Sequence, residues 1–278
     1  QNLTITLRDY FKGKNIKLVN FILQNEKILF KVNDKDKQKV LDIFNDKESE
    51  INPYYERFKS HQLEITEEND FLSVIFSKQG LVKLKTSSQE QALEIVRRRI
   101  DEVGTNEPNI LKRGNDRILV ELPGLDDPMR IKTLLGKTAN LTFRFVSNNN
   151  EDSFGNEKLN YEDEDGSEFV SKRIILSGDN LLDAQPRMDS DTNETVVTFS
   201  LDRVGAKRFG KATSKGIGRQ LAIILDGKII SAPVIQDTIA GGSGQITGGF
   251  TFQSATDLAL LLRSGALPAP LNIIEERT

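Results

Sequence analysis

The sequence predicts an α+β protein built from small mixed units. Three observations predict it. Short runs of alternating apolar and polar residues, the period of a half-buried strand, recur along the chain; between them lie stretches whose apolar residues fall three and four apart, the period of a helix. Helix caps and short turns punctuate these runs. One strongly acidic stretch, residues 148–170, breaks the pattern in the second half.

In the first unit, residues 1–80, residues 3–11 read as a helix. Residues 16–23 and 27–32 read as a strand pair turning at Gln24-Asn25-Glu26. Val40, Leu41 and Phe44 give residues 37–44 a helical spacing. Residues 63–66 and 71–76 form a second strand pair around polar residues 67–70.

In the second unit, residues 81–147, Ser87-Ser88-Gln89-Glu90 has the form of a capping box, a hydroxyl and a glutamate that satisfy orphan N–H groups at a helix start. Ala92, Leu93, Val96, Ile100 and Val103 mark one apolar face, and Gly104 stops the helix. Arg97-Arg98-Arg99 lies on that helix, offset by Asp101 and Glu102, and reads as a solvated face. Residues 107–111 and 117–122 alternate around Gly114-Asn115-Asp116, a hairpin. Asp127-Pro128 places an acceptor at a helix N-cap and proline at the first helical position. Ile131, Leu134 and Leu135 form the inner face, Gly136 ends it, and residues 141–146 alternate as a strand. The order α-β-β-α-β is one strand short of a ferredoxin-like unit, and residues 81–85 are the candidate for the missing edge.

Residues 148–170 carry eight acids against Lys158 alone and read as a solvated linker. Asp163, Asp165 and Glu168 lack the spacing of a calcium loop. The third unit, residues 171–278, has strands at 174–176 and 195–201 and a helix capped by Asp202. Residues 221–225 and 228–235 flank Asp226-Gly227, a strong hairpin signal, and Pro233 pushes the second strand toward an edge or bulge. Gly241-Gly242-Ser243-Gly244 reads as a mobile loop. Thr251 caps an apolar helix closed by Arg263-Ser264-Gly265, and residues 271–274 read as a last strand.

Composition excludes several kinds of chemistry. Lys+Arg is 38 and Asp+Glu is 41, a net charge of −3 with no footprint for nucleic acid. The chain has no cysteine and one histidine, His61, in a polar run that reads as surface. Disulfides, thiolate metal sites, a His-based triad and a zinc centre are thereby disfavoured. The glycine-rich stretch 242–248 has neither dinucleotide-loop nor Walker spacing, and no G-x-S-x-G or H-E-x-x-H occurs. An RNA-binding sheet needs aromatics on its central strands, where Ile110, Ile118 and Val120 stand. The reading is therefore no enzyme, no cofactor, no metal and no nucleic acid. No run of about 18 apolar residues reads as a transmembrane helix, and no signal-peptide pattern opens the chain. Its abrupt ends read as those of a piece of a longer protein.

Several stretches together resemble the SecD family of protein-export membrane proteins. They are Val96-Arg97-Arg98-Arg99-Ile100-Asp101-Glu102-Val103-Gly104, Glu107-Pro108, Asp116-Arg117-Ile118-Leu119-Val120-Glu121-Leu122-Pro123-Gly124 and Leu135-Gly136-Lys137-Thr138-Ala139-Asn140-Leu141-Thr142-Phe143-Arg144. Leu225-Asp226-Gly227-Lys228-Ile229-Ile230-Ser231-Ala232-Pro233 and Leu262-Arg263-Ser264-Gly265-Ala266-Leu267-Pro268-Ala269-Pro270-Leu271 continue the resemblance, and Glu275-Glu276-Arg277-Thr278 is similar to the segment leading into the family's second membrane helix. The resemblance covers residues 88–278; residues 1–80 are similar to an extra subdomain that some members carry. Ser254 departs from it, standing where the family has glutamate, and the family's glycine-rich strand upstream of this region is not in the chain.

The resemblance implies a ferredoxin-like base at 81–147, a second α+β head at 171–278 and an extra N-terminal α+β subdomain. It implies a periplasm-facing domain at the bacterial inner membrane, with SecF, the SecYEG channel and the translocating preprotein as partners and the proton-motive force as energy source. The implied proton-carrying residues lie in membrane helices outside this chain. An export factor accepts many clients, so its contacts are expected on main chain and on apolar groups. Ile229, Ile230, Val234 and Ile235, on the strand broken by Pro233, are the candidate polypeptide contacts, with only one of Ile229 and Ile230 expected to face outward. The competing reading is a ferredoxin-like regulatory or ligand-binding module. An enzyme on the same scaffold lacks an acid–base cluster.

Overall fold

The computed structural model describes the chain except residues 1, 106, 125, 148–154, 163, 164, 191, 277 and 278. It contains two compact units, Gln1–Ser87 and Ser88–Thr278.

Unit 1 contains α1 (Asn2–Gly13), β1 (Val19–Gln24), β2 (Lys27–Lys31), α2 (Asp34–Asn45), β3 (Tyr54–Tyr55), β4 (Ser60–His61), β5 (Leu63–Glu68) and β6 (Phe71–Phe76). Four strands pair antiparallel in the order β1-β2-β6-β5. Asn25 and Glu26 join β1 to β2, and Asn69 and Asp70 join β5 to β6, all at positive φ; the short side chains of Asn25, Asn69 and Asp70 favour such left-handed backbone. The core is Leu7, Phe11, Phe30, Val40, Phe44, Leu72 and Val74, with the Phe11 and Phe44 rings stacked 6.0 Å apart. Buried Asn52 donates to the carbonyls of Phe44 and Leu63 and accepts from the Leu63 N–H, so a polar side chain stays fully bonded in an apolar core. His61 is half-buried rather than on the surface, with Nδ1 3.1 Å from the Asn52 carbonyl and its ring against Tyr54.

Helix α3 (Lys78–Val103) starts nine residues before the expected capping box. Residues 81–85 are therefore helix and not an edge strand. The cap is Ser77, whose Oγ accepts from the Gly80 N–H at 2.9 Å, so Ser87 and Ser88 fall inside the helix. Gly80 passes so close to β5 that an added Cβ would lie 2.0 Å from the Gln62 carbonyl oxygen.

Unit 2 continues with β7 (Asn109–Arg113), β8 (Arg117–Glu121), α4 (Pro128–Gly136), β9 (Leu141–Phe145), β10 (Asn156–Asn160), β11 (Ser167–Ser171), β12 (Leu176–Ser177), β13 (Leu181–Met188), β14 (Thr195–Leu201), α5 (Arg203–Lys215), β15 (Leu221–Leu225), β16 (Lys228–Ser231), β17 (Ser243–Phe250) and α6 (Phe252–Ser264). The class is α+β, but among the described residues the base strands do not join in the expected ferredoxin-like sheet. β7 and β8 pair only with each other among the described residues, and β9 joins a different sheet, β12-β9-β15-β16. The physical reason is the all-apolar β15, buried on both faces. Leu221, Ile223 and Leu225 enter the main core with Leu141 and Phe143, while Ala222 and Ile224 enter a second cluster with Val146, Val170 and Ile229. Such a strand needs a partner sheet and a cover on each side.

That cover corrects the linker expectation. The described part of 148–170 includes β10 and β11, paired Glu157 with Val170 and Leu159 with Glu168. Val170 is fully buried and Leu159 and Tyr161 pack beside it. Acids expected to be free are paired: Arg144 binds Glu157, and Lys137 binds Glu162 at 3.2 Å. The remaining linker residues, 148–154, 163 and 164, lie outside the described residues. A second sheet, β13-β14-β17, packs one face on α6. The expected glycine loop is partly strand. Ser243 and Gly244 begin β17, the Gly242 carbonyl accepts from Leu201 N at 2.7 Å, and Gly244 lies under the Phe199 ring. Residues 271–274 are not a strand; Leu271 packs instead on the buried cluster of Ala92, Ile95 and Leu267.

Candidate functional site

The β15–β16 hairpin turns at Asp226 and Gly227, both at positive φ, as the two-residue turn requires. The Asp226 carboxylate accepts from Thr138 Oγ1 and from the N–H groups of Ala139 (3.0 Å) and Asn140 (2.8 Å), fixing the hairpin to the loop before β9. The four predicted contacts do not form one surface. Ile229 is 0% exposed, Ile235 is 6% exposed and Ile230 is half-buried against the main core. Only Val234, 51% exposed, faces solvent. The outer edge of β16 is also partly closed, because the Glu162 N–H donates to the Ile229 carbonyl at 2.9 Å. An extended chain adding to that edge would have to displace this bond.

The other sheet offers an open face. In β13-β14-β17 the register places Asp183, Ser200 and Ser243 in one row and Gln185, Thr198 and Gln245 in the next. Alternation sends Val197, Phe199 and Leu201 into the core beneath them. The two rows line a groove of about 510 Å3, continued by Arg187 and floored by Phe199 and Gly244. Gln185 donates to Asp183 at 2.9 Å, and Gln245 donates to Asp189 at 3.3 Å.

The β13 edge beside this groove is guarded. The Ala184 carbonyl accepts from Arg263, and Pro186, two residues on and of the same parity, has no N–H to offer. The groove therefore presents side-chain amides, hydroxyls and charges rather than a free backbone ladder. Asp202 caps α5 behind the sheet; the hydrogen bond from the Gly205 N–H is the main cause holding its carboxyl below the usual range. Among the described residues no group of three or more His, Asp or Glu side chains could hold a metal ion. The sequence reading missed these rows. Their signal was the alternation in 181–188 and 195–201, but which residues line up across strands is a matter of register.

Arg97 and Arg98 are exposed as expected, whereas Arg99 is 1% exposed and donates to main-chain carbonyls. Burial is the main cause that pulls its guanidinium down to about 10, and Asp226 opposes that shift.

Two family models match in succession. Residues 89–148 match the model for the N-terminal part of the P1 domain of protein translocase subunit SecDF, and residues 156–269 match the SecDF P1 head subdomain. A solved structure described as a membrane component SecDF that enhances protein export is 31% identical, with a TM-score of 0.58 over 69% of this chain and 94% of that one. The chain belongs to the SecD family. The protein translocase subunit SecD of Rickettsia conorii is 39% identical over 291 residues, covering 100% of this chain and 54% of that protein. The SecD subunit of Acetobacter pasteurianus is 44% identical over 213 residues, covering 74% of this chain and 41% of its own length. The chain thus spans only part of these SecD relatives. Neither family model reaches into unit 1, whereas the Rickettsia conorii relative aligns with the whole chain.

Proposed function

We propose that this chain is the periplasm-facing part of an inner-membrane SecD subunit, and that it holds the emerging preprotein in the groove on β13-β14-β17 during proton-motive-force-driven export. On this reading it works beside SecF and the SecYEG channel, catalyses no reaction, and is anchored by helices outside the chain. No helix among its described residues is long and apolar enough to cross a membrane. The observation that carries the reading is the pair of aligned polar rows, Asp183-Ser200-Ser243 and Gln185-Thr198-Gln245, on an uncovered sheet face of the unit matched by the head model.

Amides and hydroxyls at strand spacing bond the main chain of an extended polypeptide without reading its side chains. Charges at either end add little, because exposed pairs are screened. A groove of this size buries a small area, so dissociation constants fall at roughly micromolar to millimolar, weak enough for release. The four isoleucine and valine candidates contribute through Val234 at most.

The test is titration of an isotopically labelled chain with an unfolded, signal-bearing protein, followed by amide shifts. Shifts at Gln185, Thr198 and Gln245, weakened by Q185A/Q245A and unaffected by V234A, are expected. Shifts confined to β7–β8, or none at millimolar polypeptide, would overturn the reading.

A further inference from the structure

Helix α5 carries five cations and no acid: Arg203, Lys207, Arg208, Lys211 and Lys215. Its inner side is fixed by burial. Phe209 sets its ring edge-on to those of Phe143 and Phe199, and fully buried Thr213 accepts from the Ile239 N–H at 3.0 Å. All five cations are exposed. Arg203, Lys207, Lys211 and Lys215 recur at every fourth position, which makes one slowly winding stripe about 18 Å long.

Among the described residues none of the five has an ion-pair or hydrogen-bond partner. Other arginines of unit 2 are matched: Arg144 with Glu157, Arg263 with Glu102 and Arg130 with Asp257. Acids do adjoin the helix. Asp202 is engaged as its N-cap, bonded to the Gly205 N–H and to Asn180; Asp179 lies at the same end, and Asp237 precedes the segment that bonds Thr213. They sit at the margins of the stripe and leave its lysines unneutralised.

The stripe runs into an apolar tip. Past Lys215 the chain turns back and pairs with 233–235: the Gly218 N–H donates to the Ile235 carbonyl at 2.8 Å, and the Ile235 N–H donates to the Arg219 carbonyl at 2.9 Å. Ile217, 55% exposed, and Val234, 51% exposed, therefore lie on adjoining segments. A further cation, Arg219, lies beside them with its guanidinium 4.0 Å from the centre of the Phe145 ring.

Charge decides what covers this face. Fields in physiological salt decay over about 8 Å, so a net charge of −3 spread over the whole chain does not cancel a local stripe. The centre of a protein–protein interface is rich in aromatics and poor in lysine; α5 presents three lysines, two arginines and no exposed aromatic. An anionic bilayer needs no acid matched to each cation, because its headgroups move to the charges, and its acyl boundary takes aliphatic side chains.

We propose that the outer face of α5, with Ile217 and Val234 at its tip, docks on an anionic phospholipid surface: the cations meet headgroup phosphates and the two aliphatic side chains enter the acyl boundary. Polypeptide binding in the β13-β14-β17 groove plays no part in this docking, and the test leaves polypeptide out.

The 278-residue chain is sedimented with vesicles of phosphatidylcholine containing phosphatidylglycerol and with vesicles of phosphatidylcholine alone. Binding to the first kind only, lost at high salt, is expected. Each cation at an anionic surface adds about fivefold in affinity, so K207Q/K211Q/K215Q is expected to weaken binding about a hundredfold. K12Q/K14Q/K17Q removes the same charge from exposed lysines of unit 1 and is expected to leave binding within about twofold, because that charge is screened from the docked face. Amide exchange in β14 and β15 checks that each variant stays folded. The chain has no cysteine, so I217C carries a single environment-sensitive fluorophore on the intact stripe. Its emission is expected to shift to the blue on the anionic vesicles, and that of a fluorophore at Q91C, exposed on α3, is not.

Equal binding to both kinds of vesicle, binding to neither, an equal loss with K12Q/K14Q/K17Q, or a fluorophore at position 217 that stays in water on bound vesicles would each overturn the proposal. So would amide shifts showing that α5 binds a glutamate-rich peptide more tightly than the vesicles, which would make an acidic polypeptide the occupant, or that inorganic phosphate alone reproduces the shifts, which would leave a site for free anions.

Discussion

Replacing Ile229 by alanine separates a core role from a contact role at the hairpin. Ile229 is 0% exposed and packs with Val146, Val170, Ala222 and Ile224 in the small cluster closed by the β10–β11 hairpin. The substitution removes three carbons, worth about 0.8 kcal/mol each and about 2.4 kcal/mol together. A void that does not collapse raises the loss toward about 4 kcal/mol. The cover is a two-stranded hairpin, which can settle inward more easily than a helix layer, so the lower part of that range is expected. Val234 is 51% exposed, and its truncation is expected to change stability by about 0.5 kcal/mol or less. Urea unfolding followed by circular dichroism, with amide exchange in β15 to assign the transition to unit 2, measures both. A stable I229A with impaired polypeptide binding would refute the burial argument and restore Ile229 as a contact.

Gly80→Ala is expected to lower the stability of unit 1 while leaving unit 2 unchanged, because the new Cβ meets the Gln62 carbonyl oxygen at 2.0 Å and that atom is backbone; exchange in β5 and β6 against β15 checks it. Asp202 has its carboxyl pKa depressed, mainly by the Gly205 N–H, so its contribution to α5 is present above the unfolded pKa and is lost as pH falls through the lower, folded value. Protection of the Gly205 amide should therefore decline on acidification, and D202N should flatten that decline; a pH-independent Gly205 amide in the parent would refute the cap's role. Truncating Val170 to alanine is expected to loosen β10 and β11 and to raise proteolytic cleavage within 156–171, since this buried side chain ties a highly acidic segment to the sheet.

Local features were legible in the sequence because their causes are local. Asp127, Asp202 and Thr251 each accept a hydrogen bond from the backbone N–H three residues on, as N-cap side chains do. Asp226-Gly227 makes the hairpin turn because its two positions require positive φ. The motif runs between Val96 and Leu271, taken together, pointed to the SecD family. The start of α3 was misread because a serine pair with a following glutamate looks like a cap wherever it occurs. The serine that caps is the one free of the helix, Ser77.

Tertiary structure alone decided the rest. Whether β9 pairs with β8 or with β15 depends on which strand has two apolar faces to cover, a comparison between residues far apart in the chain. Ile229 and Val234 are similar aliphatic side chains on one short stretch, yet one is core and the other surface, because only the fold brings Val170 and Ile224 over the first. Arg99 differs from Arg97 and Arg98 only in the helix face it occupies and in the carbonyls that the ends of α4 and α6 aim at it. The rows of the candidate groove exist only through the register of three strands, and register is set by long-range hydrogen bonding and by the burial of the opposite face, neither of which a single strand's sequence contains.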